Sequence, residues 1–384
     1  MASIAWACWD GGGNLPPSLE IVHELTERGH DVRFIGRPEM IGRAADAGVK
    51  ATEFRNARTD LDRYSFHPMA TVFGYASSPA VGAELGEIVT AERPDLVVID
   101  ALMAGALNVA PQFGRPAVAM VHSFLYRLLG QWRAAYAMMS QSREKAGFQP
   151  IPSLDELWGR CDLVHVNTLL ALDGEPVVDW PNVVHGAPVL KNRRPIPTTL
   201  PWPDHDPAPV VLLSFSTGFE QRDLAKLQRA LDALAPLPVH VVATTAGIVD
   251  PAELSPPANA WVTGFADHDQ LLARTAVVVG HGGHGTTMRA LRHGVPIVGV
   301  PGQAIDQIPN TRLVQEWGAG VALPPDADET GIRDAVAAVL ADDRYTASAR
   351  ALSGNFGPDD GASQAADSIE NLLGPDRRPA TFAS

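Results

Sequence analysis

The densest run of chemically capable residues is 277–302, VVVGHGGHGTTMRALRHGVPIVGVPG. An apolar run that reads as a buried strand enters His281-Gly282-Gly283-His284-Gly285-Thr286, where a helix opens with Met288 and Leu291 on its apolar face. Glycines let backbone approach a ligand closely, and the amides and dipole of a helix start form an anion site. A diphosphate fits such a cradle. His281 adds a hydrogen bond or a positive charge there, and the hydroxyls of Thr286 or Thr287 add donors. A glycine-rich loop before a helix also occurs where strand and helix merely pack tightly, so the pattern alone leaves function open. Two imidazoles, His281 and His284, without a third convergent ligand do not make a zinc site. No metal is assigned. Asp60/Asp62, Asp204/Asp206, Asp267/Asp269 and Asp326/Asp328 have the spacing of a magnesium–nucleotide motif, but scattered copies in an acidic chain read as loops and caps. Asp267 stands where a helix through Leu271 and Leu272 needs its N-cap.

Strands and helices must hold that loop, and the chain supplies them in alternation, the pattern that builds a parallel sheet covered by helices. Residues 4–8 read as a strand, 10–14 as a Gly-rich turn, and Leu19, Val22 and Leu25 as the face of a helix that admits Pro16 and Pro17 in its first turn. Arg28-Gly29-His30 ends that helix. A strand over 32–35 follows, then a helix over 81–91, a strand over 96–99, a helix over 101–113 and a strand over 117–121. From 191 to 209 six prolines forbid continuous helix or central strand and favour a stiff extended linker. The alternation then restarts, with strands over 210–214, 239–244, 277–279 and 297–300 and a helix over 224–234. The fold class is therefore α/β, two doubly wound Rossmann-like domains. Such sheets bind ligands at the carboxyl ends of their strands.

Composition agrees with that reading. The 384 residues suit two domains of roughly 100–200 residues each, and 46% hydrophobic content supplies two cores. Lys and Arg number 30 against 44 Asp and Glu, a net charge of −14 with no basic block, so nucleic acid is not an expected partner. Cys8 and Cys161 are too few for a disulfide framework. The start lacks a basic n-region, and the longest apolar stretches are too short to cross a bilayer. A cytoplasmic protein without a membrane segment is the expectation.

GFADHDQLL, then HGGHGTTMRALRHGVPIVGVPG, then Asp306-Gln307 and Asn310, resembles the donor-binding block of family 1 nucleotide-sugar glycosyltransferases of the GT-B fold, bacterial natural-product type. The carboxyl half matches in several ordered motifs, the amino half in architecture and a few positions. The resemblance implies two Rossmann-like domains facing across a cleft: an acceptor domain at 1–190, the linker 191–209, and a donor domain at 210–362. A C-terminal helix and tail, 363–384, would return to the first domain. It further implies that Phe265 stacks on the nucleotide base and that backbone at Ala266 reads the base edge. Ser216 and Thr217 would touch the phosphates, His281 with Gly283, His284, Gly285 and Thr286 would hold the diphosphate, and Asp306 with Gln307 would bond sugar hydroxyls. The implied co-substrate is a UDP- or dTDP-linked sugar with no further cofactor, and a homodimer stays open.

One position departs from the family. Where related enzymes carry a His general base, this chain reads Gly13-Asn14-Leu15-Pro16-Pro17, and an amide cannot take a proton at neutral pH. Asp100 matches the carboxylate that normally orients that His. Asp100 as base, directly or through a water, with Asn14 positioning the acceptor, is the favoured solution; Asp10 or His122 are alternatives, as is an acceptor needing little help. Phe66, Phe73, Tyr75, Phe124, Tyr126, Trp132 and Tyr136 offer apolar surface for a flat or greasy acceptor, although many such aromatics are core. The expectation is an inverting hexosyltransferase acting on a small hydrophobic acceptor. The alternative, motivated by Asn14, is a catalytically silent relative that binds nucleotide sugar or assists a partner transferase. An NAD-dependent oxidoreductase is disfavoured because no GxGxxG turn follows the first strand.

Overall fold

The computed structural model describes residues 1–9, 12–56, 61–64, 74–191, 196–203, 205–215, 222–302, 304–358 and 361–374. Two compact units divide it: Met1–Lys191 with Asp359–Ser384, and Asn192–Pro358.

The first unit is built on seven parallel strands: β1 (Ser3–Ala7), β2 (Asp31–Gly36), β3 (Ala51–Glu53), β4 (Leu96–Asp100), β5 (Ala117–Val121), β6 (Leu163–Val166) and β7 (Val183–His185). Their spatial order is β3-β2-β1-β4-β5-β6-β7, so the winding reverses between β1 and β4, where Ala7 lies opposite Ile99. Loops diverge at such a reversal and leave a crevice at the carboxyl ends. β4 and β5 are buried throughout, which explains their unbroken apolar runs. The helix Leu15–Glu27 buries Leu15, Ile21, Val22 and Leu25 at helical spacing. Each fully buried aliphatic side chain of this kind contributes about 1.5–3 kcal/mol. The C-terminal helix Gly361–Leu373 completes the same core with Ala362, Ala365, Ala366 and Ile369. Arg28 ties it down from the end of the first helix, bonding Asp367 at 2.5 Å, Glu370 at 2.7 Å and Ser363 Oγ at 2.6 Å.

The stretch 101–113 departs from the continuous helix its sequence predicts. The helix runs Ala104–Val109 and tightens into a 3-10 turn over Ala110–Phe113. Asp100 Oδ1 accepts the Leu102 amide at 2.9 Å, which holds residues 101–102 in a turn before helix can begin.

The second unit has six parallel strands: β8 (Val210–Ser214), β9 (His240–Thr244), β10 (Ala260–Thr263), β11 (Thr275–Gly280), β12 (Ile297–Gly299) and β13 (Gly320–Ala322). Their order is β10-β9-β8-β11-β12-β13, with the reversal between β8 and β11 and Ser214 opposite Gly280. The helix Leu224–Leu234 buries Leu227, Ala230, Leu231 and Leu234 in this unit's own core. The described part of the proline-rich segment forms neither helix nor strand and lies against this unit. Thr198 Oγ1 accepts the Asp267 amide at 2.8 Å, and Trp202 stacks on His240 with ring centroids 4.3 Å apart.

Candidate active site

At the reversal of the first sheet, Asp100 ends β4 and is 4% exposed. Its Oδ2 accepts from Asn14 Nδ2 at 2.7 Å, across 86 residues of sequence. Burial pushes the carboxyl up to about 6, against the bonds from Asn14 and Leu102 that favour its charged form. Asn14 is the N-cap of the first helix, yet its side chain makes no cap hydrogen bond. The amide turns away instead and donates to Asp100 and to the Trp9 carbonyl, the latter also at 2.7 Å. A residue type suited to capping is thus used to hold a buried carboxylate. The pair is poised for proton chemistry near neutrality.

His122 follows β5. Its Nδ1 lies 3.0 Å from Asn167 Nδ2, and its Nε2 lies 3.0 Å from the buried Ser18 Oγ. The Asn167 amide can only donate, which assigns the proton to Nε2 and makes Ser18 the acceptor. Both ring nitrogens are engaged, so His122 is the weaker candidate base. Ser18 was not anticipated; its place one helical turn after Asn14, on the same face, is the signal that marks it. Asp10 lies outside the described residues.

The aromatic side chains divide. Phe66 and Phe73 lie outside the described residues, while Tyr75, Phe124, Trp132 and Tyr136 are buried. Trp132 Nε1 donates to the Phe124 carbonyl at 2.8 Å, and Trp158 Nε1 donates to Tyr136 Oη at 2.7 Å. These four are core, correcting their reading as acceptor surface. Tyr126 is partly exposed and packs on His185 with centroids 5.0 Å apart.

At the reversal of the second sheet, β11 leads into the glycine loop and the helix His284–Arg292. Gly283 is its N-cap and makes no side-chain cap hydrogen bond, so no side chain of the cap position covers the first turn. The glycines do different work. A Cβ on Gly282, where φ is +81°, would stand 2.5 Å from the Gln307 carbonyl, and one on Gly283 would meet the His281 ring at 2.4 Å. Gly285 faces open space at the exposed tip. The first two let the chain pack on itself, and the third leaves room for something else. Met288 and Leu291 are buried, as their spacing predicts. His284 and Thr287 are also buried in this helix, while Thr286 is half-buried.

Burial disfavours the positive charge allowed for His281. Burial holds its imidazole down at about 4, with the Lys226 charge acting the same way and the Ser214 backbone opposing. It is a neutral ring at physiological pH, and its buried Nδ1 has no partner among the described residues.

Asp306 is the N-cap of the helix Gln307–Glu316, and burial raises its carboxyl to about 6. Gln307 is buried, and its Oε1 accepts the Gly302 amide at 2.7 Å. Asn310 Nδ2 donates to the Gly282 carbonyl at 2.8 Å. The glycine loop, 301–302 and the start of this helix therefore form one cluster. Phe265 and Ala266 follow β10, and Phe265 is 59% exposed. A Cβ on Gly247, at φ +71°, would lie 3.2 Å from that ring, so the chain passes close beneath it. Asp267 caps the helix His268–Leu272, as expected, by accepting from the Asp269 and Gln270 amides. Ser216 and Thr217 lie outside the described residues. Among those described, no group of three or more His, Cys, Asp or Glu could hold a metal, and no helix is long and apolar enough to cross a membrane. Lys226, buried with its Nζ on the Pro301 carbonyl, was missed because a lysine in a first helical turn looks like a solvated residue.

Two doubly wound parallel sheets, each with a polar site where its winding reverses, define the GT-B architecture. Residues 228–370 match the family described as erythromycin biosynthesis protein CIII-like, C-terminal domain. A PGL/p-HBAD biosynthesis rhamnosyltransferase of Mycobacterium bovis (strain BCG / Pasteur 1173P2) is 38% identical over 212 residues, 54% of this chain and 45% of that protein. The chain thus spans about half the length of that curated relative. The demethyllactenocin mycarosyltransferase of Streptomyces fradiae is 25% identical over 414 residues, covering 98% of this chain and 87% of its own. Among solved structures, the calicheamicin glycosyltransferase CalG4 superposes with a TM-score of 0.75 at 26% identity, covering 98% of this chain and 100% of that one. The chain is thus similar to bacterial natural-product glycosyltransferases and shares their GT-B fold.

Proposed function

We propose that the protein is an inverting hexosyltransferase that moves a hexose or deoxyhexose from a UDP- or dTDP-sugar to a small hydrophobic, natural-product-like acceptor. The single observation that carries this reading is the donor cluster. An uncapped helix start, an open glycine at residue 285 and the Asp306-Gln307 pair share the carboxyl end of the second sheet. Its relatives named for sugar transfer support the same class of reaction.

The chemistry follows from placing charge. In a single in-line displacement the acceptor oxygen forms its bond to the anomeric carbon as the bond to the diphosphate oxygen breaks. Negative charge develops on the leaving diphosphate, where the amides at the start of His284–Arg292 can stabilise it without reorganising. The acceptor proton must go to a base, and Asp100 is the group whose pKa of about 6 suits that task near neutrality. Asn14 fixes the carboxylate's rotamer and orients the acceptor. This arrangement places the countercharge in the protein, so no metal is needed.

A second reading, a catalytically silent relative that binds nucleotide sugar, is favoured by one observation: Asp100 is bonded by the amide of Asn14, which cannot accept a proton, where the family resemblance implies an imidazole. A panel of UDP- and dTDP-sugars with phenolic, alcoholic and amine acceptors separates the two. Anomerically inverted product, formed equally well in EDTA, supports the transferase; nucleotide-sugar binding without turnover across the panel would support the silent relative. Asn14→His is expected to raise turnover with alcohols more than with phenols, because the acceptor that ionises least readily gains most from a stronger base.

A further inference from the structure

The helix Leu224–Leu234 carries a buried cation that the proposed reaction does not yet use. Lys226 lies in its first turn and is 8% exposed. Its Nζ donates to the Pro301 carbonyl at 2.5 Å and sits 5.5 Å from the centroid of the Phe215 ring. Among the described residues these are its only bonded or ring partners, and no carboxylate pairs with it. Removing an ammonium ion from water costs several kcal/mol unless an anion or a set of acceptors replaces the hydration. One carbonyl and one ring face do not. Asp223, whose charge acts on the amine, uses its Oδ1 to cap the helix by accepting the Lys226 amide at 2.9 Å. Burial is the main reason the amine is held down at about 8; Asp223 opposes that shift and Arg229 adds to it.

The position is as telling as the missing partner. Phe215 follows β8, His281 follows β11 and Pro301 follows β12, so Lys226 reaches loops at the carboxyl ends of three adjacent strands around the sheet reversal. Its charge is felt at His281, whose ring it helps keep neutral. Pro301 precedes Gly302, whose amide is bonded to Gln307. We propose that Lys226 is a positioning residue of the donor site: its ammonium holds the 301–302 turn and supplies the countercharge beneath the diphosphate. The inference rests on reading this cluster as a nucleoside diphosphate site. A purely structural lysine would serve the carbonyl alone and would not distinguish a charged ligand from a neutral one.

That distinction sets the experiment. Calorimetric titration of the full chain and of Lys226→Met, with UDP, dTDP, uridine and thymidine, reads charge separately from base recognition. The variant is expected to bind the diphosphates about tenfold more weakly, the loss of one charge-assisted interaction, while its nucleoside affinities stay unchanged. Equal weakening of nucleosides and diphosphates, or no change in either, would overturn the proposal and leave the donor site standing. If neither diphosphate binds the unsubstituted protein, the donor reading fails and this inference with it. Should Lys226→Met not fold, the unsubstituted protein still decides. At pH 8.5 UDP or dTDP should draw a fraction of a proton onto the protein, read as a dependence of binding heat on the buffer's ionisation enthalpy. Burial holds the neighbouring His281 down at about 4, far below that pH, so its ring does not supply this signal. Absence of proton uptake there would overturn the proposal.

Discussion

At the scale of single residues the site is a set of groups held away from their ordinary protonation. Asp100 and Asp306 are both pushed up to about 6 by burial, so each binds a proton more tightly in the folded than in the unfolded chain. Stability from these two groups is therefore fullest at low pH and is lost as pH rises from about 4 through about 6, on the order of 3 kcal/mol for Asp100. Activity runs the other way if Asp100 takes the acceptor proton, because only the ionised carboxylate can. We expect kcat/KM to rise with pH through about 6 and then level. Asp100→Asn should lower kcat by ~10²–10⁴-fold while flattening the fall in melting temperature between pH 4 and 7. Near-complete turnover in Asp100→Asn would remove it as the base. Phe265, exposed and set over Gly247, is expected to act at the nucleoside alone. Its replacement by Ala should weaken UDP and uridine alike by about 1–3 kcal/mol, one base-stacking contact, with KM rising and kcat held. Unequal losses would place the base elsewhere.

Among the elements, what could be read from sequence tracks how local the determining contact is. The helix Leu224–Leu234 is legible because its apolar residues recur at helical spacing and Asp223 caps it. Buried strands such as β4 and β5 are legible as unbroken apolar runs. β3, β6, β7, β10 and β13 are not; runs of three or four residues show no clear period, and each is a strand because a neighbour lends its hydrogen-bonding edge. The 101–102 turn was hidden for a related reason, since a carboxylate decides it. In the site, the glycine loop announces itself, whereas the Asn14–Asp100 bond joins residues 86 apart and only the family resemblance pointed to it. The neutral state of His281 depends on burial, which sequence does not display. The loop's geometry yields its own prediction. Gly282→Ala must adopt a positive φ and place a methyl group against the Gln307 carbonyl and Thr311 Cγ2, at 2.5 and 2.7 Å. The resulting strain, a few kcal/mol, is expected to lower the melting temperature and weaken diphosphate binding together. Gly285→Ala, which meets no atom within 4 Å, should leave stability nearly unchanged and disturb only the ligand. If both variants behaved alike in stability and in binding, the division of labour among these glycines would be wrong.

For the whole molecule, the connectivity of the two units makes their stabilities unequal in origin. The second unit is one continuous segment with its own core, whereas the first depends on a helix that arrives after the second is complete. Gly361–Leu373 places Ala362, Ala365, Ala366 and Ile369 in the first core, and its polar side is clamped by Arg28 and His30. Burial raises the Glu370 carboxyl, but bonds from His30 and Arg28 outweigh it and hold the group below its ordinary value of 4.5. That contribution is present above about 4.5 and is lost as the pH falls below it. The apolar contact is the larger part, since truncating one buried Ile to Ala costs about 2–5 kcal/mol and surface ion pairs rarely exceed 1 kcal/mol. Ile369→Ala is therefore expected to unfold the first unit at lower temperature and leave the second unit's transition in place, splitting the calorimetric trace into two. Arg28→Ala should shift the same early transition by less, and high salt should narrow its difference from the unsubstituted protein. The readout that assigns the transitions is ligand protection: if the proposed donor site is right, UDP or dTDP binds the second unit and should raise the later one alone. A single transition that moves as a whole under Ile369→Ala and under nucleotide would show that the units unfold together, and that the returning helix stabilises the molecule rather than the domain it packs on.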